Sequence, residues 1–260
     1  MDRLTAWVAR AVLVFLYVPI IAVIGYSFNN SPTTGHWTGF GTKWYGVLFH
    51  DRALLRTLQT SLSVGVAAAA VATVVGFLSA FALVRYRVRG RSFFLGAVLL
   101  PLVLPEIVLG AALLTVFRSV DLPLGLSSIV LGHIVITLPL TTLILMGAIG
   151  ALDSSLSEAA ADLGCTAWQT FAYVLLPLIR SSLLSAFLLA FTTSFSNIVI
   201  STFTSGVGST TMPLRIYSLL KTGITPEINA LGAMLILATV IVIAVVGLRQ
   251  MRAILVGDGD

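Results

Sequence analysis

Six long apolar runs constrain this chain more than any other feature. They reach from Trp7 to Phe28, Ser61 to Val84, Phe93 to Phe117, Leu126 to Ile149, Leu178 to Phe203 and Ile228 to Leu248. Each supplies the roughly 20 residues a helix needs to cross about 30 Å of hydrocarbon. The fold class they predict is an all-α membrane protein with six transmembrane helices, forming one membrane domain over residues 1–260. Composition agrees. Only 10% of the 260 residues are charged and 58% are hydrophobic, with a mean hydropathy of +1.04. A soluble domain carries about 25% charged residues. So few charges cannot cover a water-facing surface of this size, whereas lipid tails accept apolar side chains freely.

The net charge of +5 does not indicate nucleic-acid binding. The basic residues form no single stripe or patch and sit at the ends of the apolar runs. A single cysteine, Cys165, excludes an internal disulfide and a multi-cysteine zinc site, and no metal site is expected. The first apolar run is too long for a signal core and has no small-residue cleavage site before Asn29, so it reads as an uncleaved membrane helix.

Orientation follows from the loops. Arg85-Tyr86-Arg87-Val88-Arg89-Gly90-Arg91 is the densest run of positive charge and belongs in the cytoplasm. Arg3, Arg10, Arg249 and Arg252 then fall on the same side, which places both termini inside. The loop from Asn29 to Thr60 falls outside, with Trp37, Trp44 and Tyr45 suited to the headgroup region, although it also carries Lys43, Arg52 and Arg56. The last outer loop, Thr204 to Glu227, presents Arg215 and Lys221 as ordinary solvated charges or as contacts for an acidic partner.

Prolines interrupt the apolar runs. Pro101 and Pro105 lie in the third and Pro139 in the fourth. Each removes an amide donor and crowds the preceding turn, which marks either a kink or the wall of a cavity. Glu106 follows Pro105 directly, and His133 lies in the fourth run. An ionisable residue at such a depth faces a cavity or a partner. For His133 the plain alternative is a neutral imidazole hydrogen-bonded to a backbone carbonyl. The fifth run carries Thr192-Thr193-Ser194-Phe195-Ser196-Asn197, which lines a polar path or bonds between helices. Glu106, His133, Ser194, Ser196, Asn197 and Tyr217 are the substrate-path candidates.

The segment from Gly150 to Pro177 has structure of its own. It follows four membrane crossings and so lies inside, yet it holds Asp153, Glu158 and Asp162 and no lysine or arginine. Ser155-Leu156-Ser157-Glu158 has the spacing of a capping box. Leu156, Ala159, Ala160 and Leu163 then share one helical face. Gly164 suits the left-handed residue that ends a helix. Thr166-Ala167-Trp168-Gln169 repeats the box, and Pro177 ends the second helix or opens the next. The result is a helix, a glycine turn and a helix beside the membrane, either packed on its own bundle or presented to another surface. Glu158 serves as a capping residue or as an intersubunit contact.

Glu158-Ala159-Ala160, Gly164 and Val174-Leu175-Leu176-Pro177 fall at the offsets of the EAA loop of binding-protein-dependent ABC importer permeases, with Val174 where that family has isoleucine. The resemblance runs over nearly the whole chain. Tyr17-Val18-Pro19-Ile20, Ser27-Phe28-Asn29, Lys43-Trp44-Tyr45 and Met212-Pro213-Leu214-Arg215-Ile216-Tyr217-Ser218 are similar to spermidine/putrescine-type permeases. What the resemblance implies is a type I ABC importer permease fold in the bacterial inner membrane, with residues 150–177 as a coupling loop. Glu158, Ala159, Ala160, Gly164, Leu176 and Pro177 would be its ATPase-coupling residues. It implies a sister permease, two ATPase subunits and an extracytoplasmic solute-binding protein. The solute would be a polyamine or a related small organic compound. Where that group carries acids in the fifth run, this chain has Ser196-Asn197, which leaves Glu106, with Phe195 and Tyr217 as ring partners for a cation.

The chain contains no Gly-x-x-x-x-Gly-Lys-Ser/Thr loop. ATP and Mg are therefore expected on the partner ATPases, with no cofactor on this chain and no catalysis by it. Intramembrane enzyme signatures are missing too. The competing reading is a secondary transporter using Glu106 and His133 as a proton relay. Such folds show internal repeats and need no docking hairpin.

Overall fold

A computed structural model describes residues 3–33, 36–86, 88–153, 155–222 and 226–257. Arg87 and Gly223 lie outside these residues. Among the described residues all regular structure is helical, apart from one antiparallel bridge between Asn29 and Phe40. The order is α1 (Arg3–Ser27), α2 (Lys43–His50), α3 (Arg52–Arg85), α4 (Arg91–Val103), α5 (Glu106–Ser119) and α6 (Leu126–Gly150). Then come α7 (Ser155–Asp162), α8 (Ala167–Gln169), a π-helical turn (Thr170–Leu175), α9 (Leu176–Ser196), α10 (Val199–Thr204), α11 (Met212–Thr222) and α12 (Pro226–Gly257). Two compact units result, Met1–Leu55 with Ile216–Asp260, and Arg56–Arg215.

In the first unit α1 packs along α12. Gly232 permits this approach, since a Cβ there would stand 3.1 Å from Val23. The segment after α1 is held by Asn29, whose Oδ1 accepts from the amides of Ser31 and Thr38 and whose Nδ2 donates to the His36 carbonyl. Trp44 Nε1 donates to the Asn29 carbonyl at 2.9 Å. Side chains of α1 from Trp7 to Val18 stay largely exposed, as expected of a helix whose solvent is hydrocarbon.

The second unit is built around α6, which is buried on several faces by Ile129, His133, Ile136, Thr141, Leu145 and Ile149. Its principal partner is α9. Small residues set the distances, as is usual where helices pack in lipid. Thr141 Oγ1 donates to the Ala72 carbonyl of α3 at 2.8 Å, and Gly76 faces Thr141 and the Thr142 backbone. Gly132 leaves room for Ile200 and Thr204, and Gly110 for Phe203.

Four of the predicted crossings are long and apolar enough as single helices: α1, α3, α6 and Ala167–Ser196. In α12 Pro226–Ile241 is a shorter stretch of apolar helix, and the helix continues to Gly257. The third run differs from expectation. It is not one helix from Phe93 to Phe117 but two, bent by 111° at Leu104-Pro105. Pro105 has no amide to donate back and excludes a helical conformation from Leu104. Pro101 and Pro139, by contrast, stay within α4 and α6. The bent pair still links the two ends of the unit. It starts six residues after α3 ends, and it finishes beside the end where Gly206 meets Leu124 and Ser128 bonds to the Thr204 carbonyl.

Two further boundaries move. The second run is part of a helix of 34 residues beginning at Arg52, about 50 Å long, which exceeds the hydrocarbon core. The fifth run ends as a helix at Ser196 and resumes at Val199. The loop expected on the outer side, Thr204 to Glu227, also holds a helix, α11.

Replacing Gly76 by leucine is expected to destabilise the chain by about 1–3 kcal/mol through overpacking against α6, read as a lowered thermal midpoint of the detergent-solubilised protein. Glycine to leucine at Gly96, where a Cβ meets nothing within 4 Å, should leave that midpoint nearly unchanged.

Candidate functional site

The hairpin begins with Asp153, whose Oδ1 accepts from the Ser155 amide at 2.9 Å. That bond holds the Asp153 carboxyl below its ordinary range. The capping box expected at Ser155–Glu158 is therefore corrected: Ser155 already lies in the first turn of α7, because aspartate two residues earlier reaches the free amide. Gly164 ends α7 with φ of 84°, and the Cys165 amide donates to the Ala160 carbonyl at 3.0 Å, the wrap of a Schellman cap. The second box is as expected. Thr166 Oγ1 accepts from the Gln169 amide, and Gln169 Oε1 accepts from the Thr166 amide.

Pro177 lies in the first turn of α9, as the second of the two expectations has it, but no break separates α9 from what precedes it. Ala167–Ser196 runs as one helix of 30 residues. The π-helical turn just before Pro177, with the Leu176 amide bonded to the Phe171 carbonyl, widens the helix where proline lacks a donor.

Of the face expected to be shared by Leu156, Ala159, Ala160 and Leu163, only Ala160 is buried. Leu163 is 86% exposed, and Leu156, Ala159, Glu158, Trp168 and Tyr173 are exposed as well. The hairpin thus presents apolar surface outward. Its root is fixed by aromatic contacts: Phe171 lies 5.7 Å from Phe77 and 6.4 Å from Phe81 between ring centroids. Those two rings stand on the last turns of α3, so the hairpin and Arg85 share one end of the unit.

At the other end of the same 30-residue helix lies a polar junction. The two helix breaks meet there, as Asn197 Nδ2 donates to Glu106 Oε2 at 3.3 Å. Glu106 is the first residue of α5, where the positive end of the helix dipole favours a carboxylate, and it is exposed. Asn197 uses its remaining groups to hold the break. Its Oδ1 accepts from the Ile200 amide at 2.8 Å, its carbonyl from Ser201 Oγ at 2.9 Å, and its amide donates to the Ser194 carbonyl at 3.2 Å.

His133 stands beside this junction without touching Glu106. Its Nδ1 is 2.7 Å from Ser194 Oγ and its Nε2 3.1 Å from Ser201 Oγ, and the ring is 1% exposed. Its partners are hydroxyls, not a backbone carbonyl. Glu106, Asn197, Ser194 and His133 are thus brought together. Ser196 is not among them: its hydroxyl turns back to the Thr192 carbonyl. Phe195 stacks on Phe191. Tyr217 belongs to the first unit, with the Lys221 ammonium 4.5 Å above its ring. Ser201 is the residue sequence reasoning missed; its place four residues after Asn197, one helical turn on, is the only signal that pointed to it.

Comparison with known proteins gives a consistent result. The model of the family described as binding-protein-dependent transport system inner membrane component matches residues 72–254. The spermidine/putrescine transport system permease protein PotC of Haemophilus influenzae is 39% identical over 240 residues, covering 92% of each chain. The putrescine transport system permease protein PotI of Escherichia coli is 37% identical over 235 residues, 88% of this chain and 84% of the relative. Among solved structures, a chain of a bacterial ABC transporter involved in the import of the acidic polysaccharide alginate superimposes with a TM-score of 0.72. It has 17% identity and covers 95% of this chain and 94% of that one. At that identity the likeness is one of fold.

Asn197→Leu should lower stability by about 1–3 kcal/mol, because the buried Ile200 amide loses its acceptor. Thr202→Ala, which removes only a bond to its own preceding turn, should have little effect on the same thermal-unfolding measurement.

Proposed function

Because this chain belongs to the family of binding-protein-dependent transport system inner membrane components, we propose that it forms half of the solute path of a polyamine importer, with Glu106 as a solute carboxylate and residues 150–177 as the ATPase-coupling loop. It is an inner-membrane permease subunit of an ABC importer, a transport component and not a catalyst. The proton-coupled carrier reading is set aside, since the relatives are ABC permeases and Glu106 and His133 bond to other groups.

One observation supports the mechanism most directly. The helix Ala167–Ser196 runs unbroken from the hairpin to the Glu106–Asn197 junction, a rod of about 45 Å. In our reading a loaded solute-binding protein docks on the outer side, where α11 lies. ATP and Mg bind two partner ATPases, which close and push on Glu158, Ala159, Ala160, Gly164 and the exposed leucines. Leu176 and Pro177, just after the π-helical turn, pass that displacement into α9. The rod then shifts the junction, and this chain and a sister permease exchange outward and inward states. ATP must stabilise one of those states over the other for the shift to occur. Both termini and the arginines from Arg85 to Arg91 are cytoplasmic in this arrangement, in keeping with the positive-inside bias.

A cationic solute fits the junction. The Glu106 carboxylate is exposed, and α9 ends at Ser196, so the negative end of its dipole points to the same place. The relatives are by name permeases for spermidine/putrescine and for putrescine, which supports one of these as the cation.

Reconstituted with its ATPases and binding protein, the importer should lose nearly all ATP-dependent uptake with Glu158→Lys. Gly164→Val should do the same, since a β-branched residue in the left-handed region costs about 1–2 kcal/mol. Both variants should still insert in the membrane, and normal uptake by both would refute the coupling role. Glu106→Gln should raise the KM for putrescine about tenfold or more, the scale of one lost charge-assisted contact. An unchanged KM would remove Glu106 from the path.

A further inference from the structure

We infer that His133 is a positioning residue for the translocation site: a neutral imidazole pins both sides of the α9–α10 break to α6 and so holds Asn197 against Glu106. The inference rests on the proposed role of Glu106 as a solute carboxylate.

The hydrogen-bond directions are determined by elimination. Ser201 Oγ donates its one proton to the Asn197 carbonyl, so it can only accept from the imidazole. Nε2 therefore carries the ring proton. Nδ1 is then a bare acceptor and takes the proton of Ser194 Oγ. Ser194 stands on the last turn of α9 and Ser201 on α10, with Asn197 between them. One ring thus bridges a gap in which helical hydrogen bonding has stopped, and a buried network in which every member is satisfied is rigid. Asn197 in turn donates to Glu106. His133 acts through this chain and does not reach the solute itself. Glutamine offers one donor and one acceptor at nearly the spacing of the two imidazole nitrogens, whereas phenylalanine fills the volume and offers neither.

The test uses the complete importer in proteoliposomes with radiolabelled putrescine. His133→Phe should raise KM by roughly threefold to tenfold, the loss of about one net hydrogen bond, with the maximal rate nearly unchanged. His133→Gln should restore most of the affinity. In a Glu106→Gln background, His133→Phe should add no further rise in KM. A fall in maximal rate alone, no rescue by glutamine, or fully additive effects would each overturn the inference. Nitrogen-15 spectra of histidine-labelled protein, assigned with His133→Gln, give a readout independent of solute. A protonated Nε2 whose signal shifts in Ser201→Ala supports the inference, and a protonated Nδ1 or indifference to Ser201→Ala refutes it. Should Glu106→Gln leave the putrescine KM unchanged, the solute reading fails, and the spectra alone then decide whether His133 pins the break.

Discussion

A backbone group without a partner in hydrocarbon costs several kcal/mol, and the second unit is organised around meeting that cost where its helices stop short. Asn197 is the point at which this is solved. Its amide, its carbonyl and both atoms of its side-chain amide are all engaged. That lets α9 end and α10 begin inside an apolar run without leaving Ile200 orphaned. Remove that satisfaction and a break at this depth becomes untenable, and with it the exposed carboxylate that the break presents.

The same constraint explains why the polar residues of this chain are concentrated as they are. Hydroxyls elsewhere on α6, such as Thr137 and Thr142, bond back to their own helix. Thr141 instead reaches across to the Ala72 carbonyl of α3, and at the junction the Ser194 and Ser201 hydroxyls meet His133 across the helix interface. Glu106 takes its place by similar reasoning. Pro105 stops one helix, the next starts with a glutamate, and the dipole of α5 favours the charge.

The hairpin and the junction occupy opposite ends of a single helix, and the π-helical turn before Pro177 is what makes that helix continuous. With an ordinary α-helical turn, the proline ring would crowd the carbonyl of the preceding turn. Widening by one residue relieves the clash and keeps the rod intact. At the root, Phe171 packs on Phe77 and Phe81, which ties the hairpin to the end of α3.

Much of this was legible in the order of residues. The apolar runs, the glycine turn at Gly164, the Thr166–Gln169 cap and the acidic hairpin follow from local periodicity and spacing, which depend on neighbours within one or two turns. Local reasoning erred where a competitor stood just outside the pattern: Asp153 took the capping position from Ser155, and Pro105 divided a run that hydropathy alone joined. The pairing of Glu106 with Asn197, and of His133 with Ser194 and Ser201, joins residues 91, 61 and 68 positions apart. No periodicity encodes such distances. By itself the sequence determined a lipid-solvated helical chain with a hairpin on one face, because the length and polarity of each segment leave the bilayer no other option. Tertiary packing alone decided which polar groups meet in its interior, because that depends on how α5, α6, α9 and α10 are set against one another.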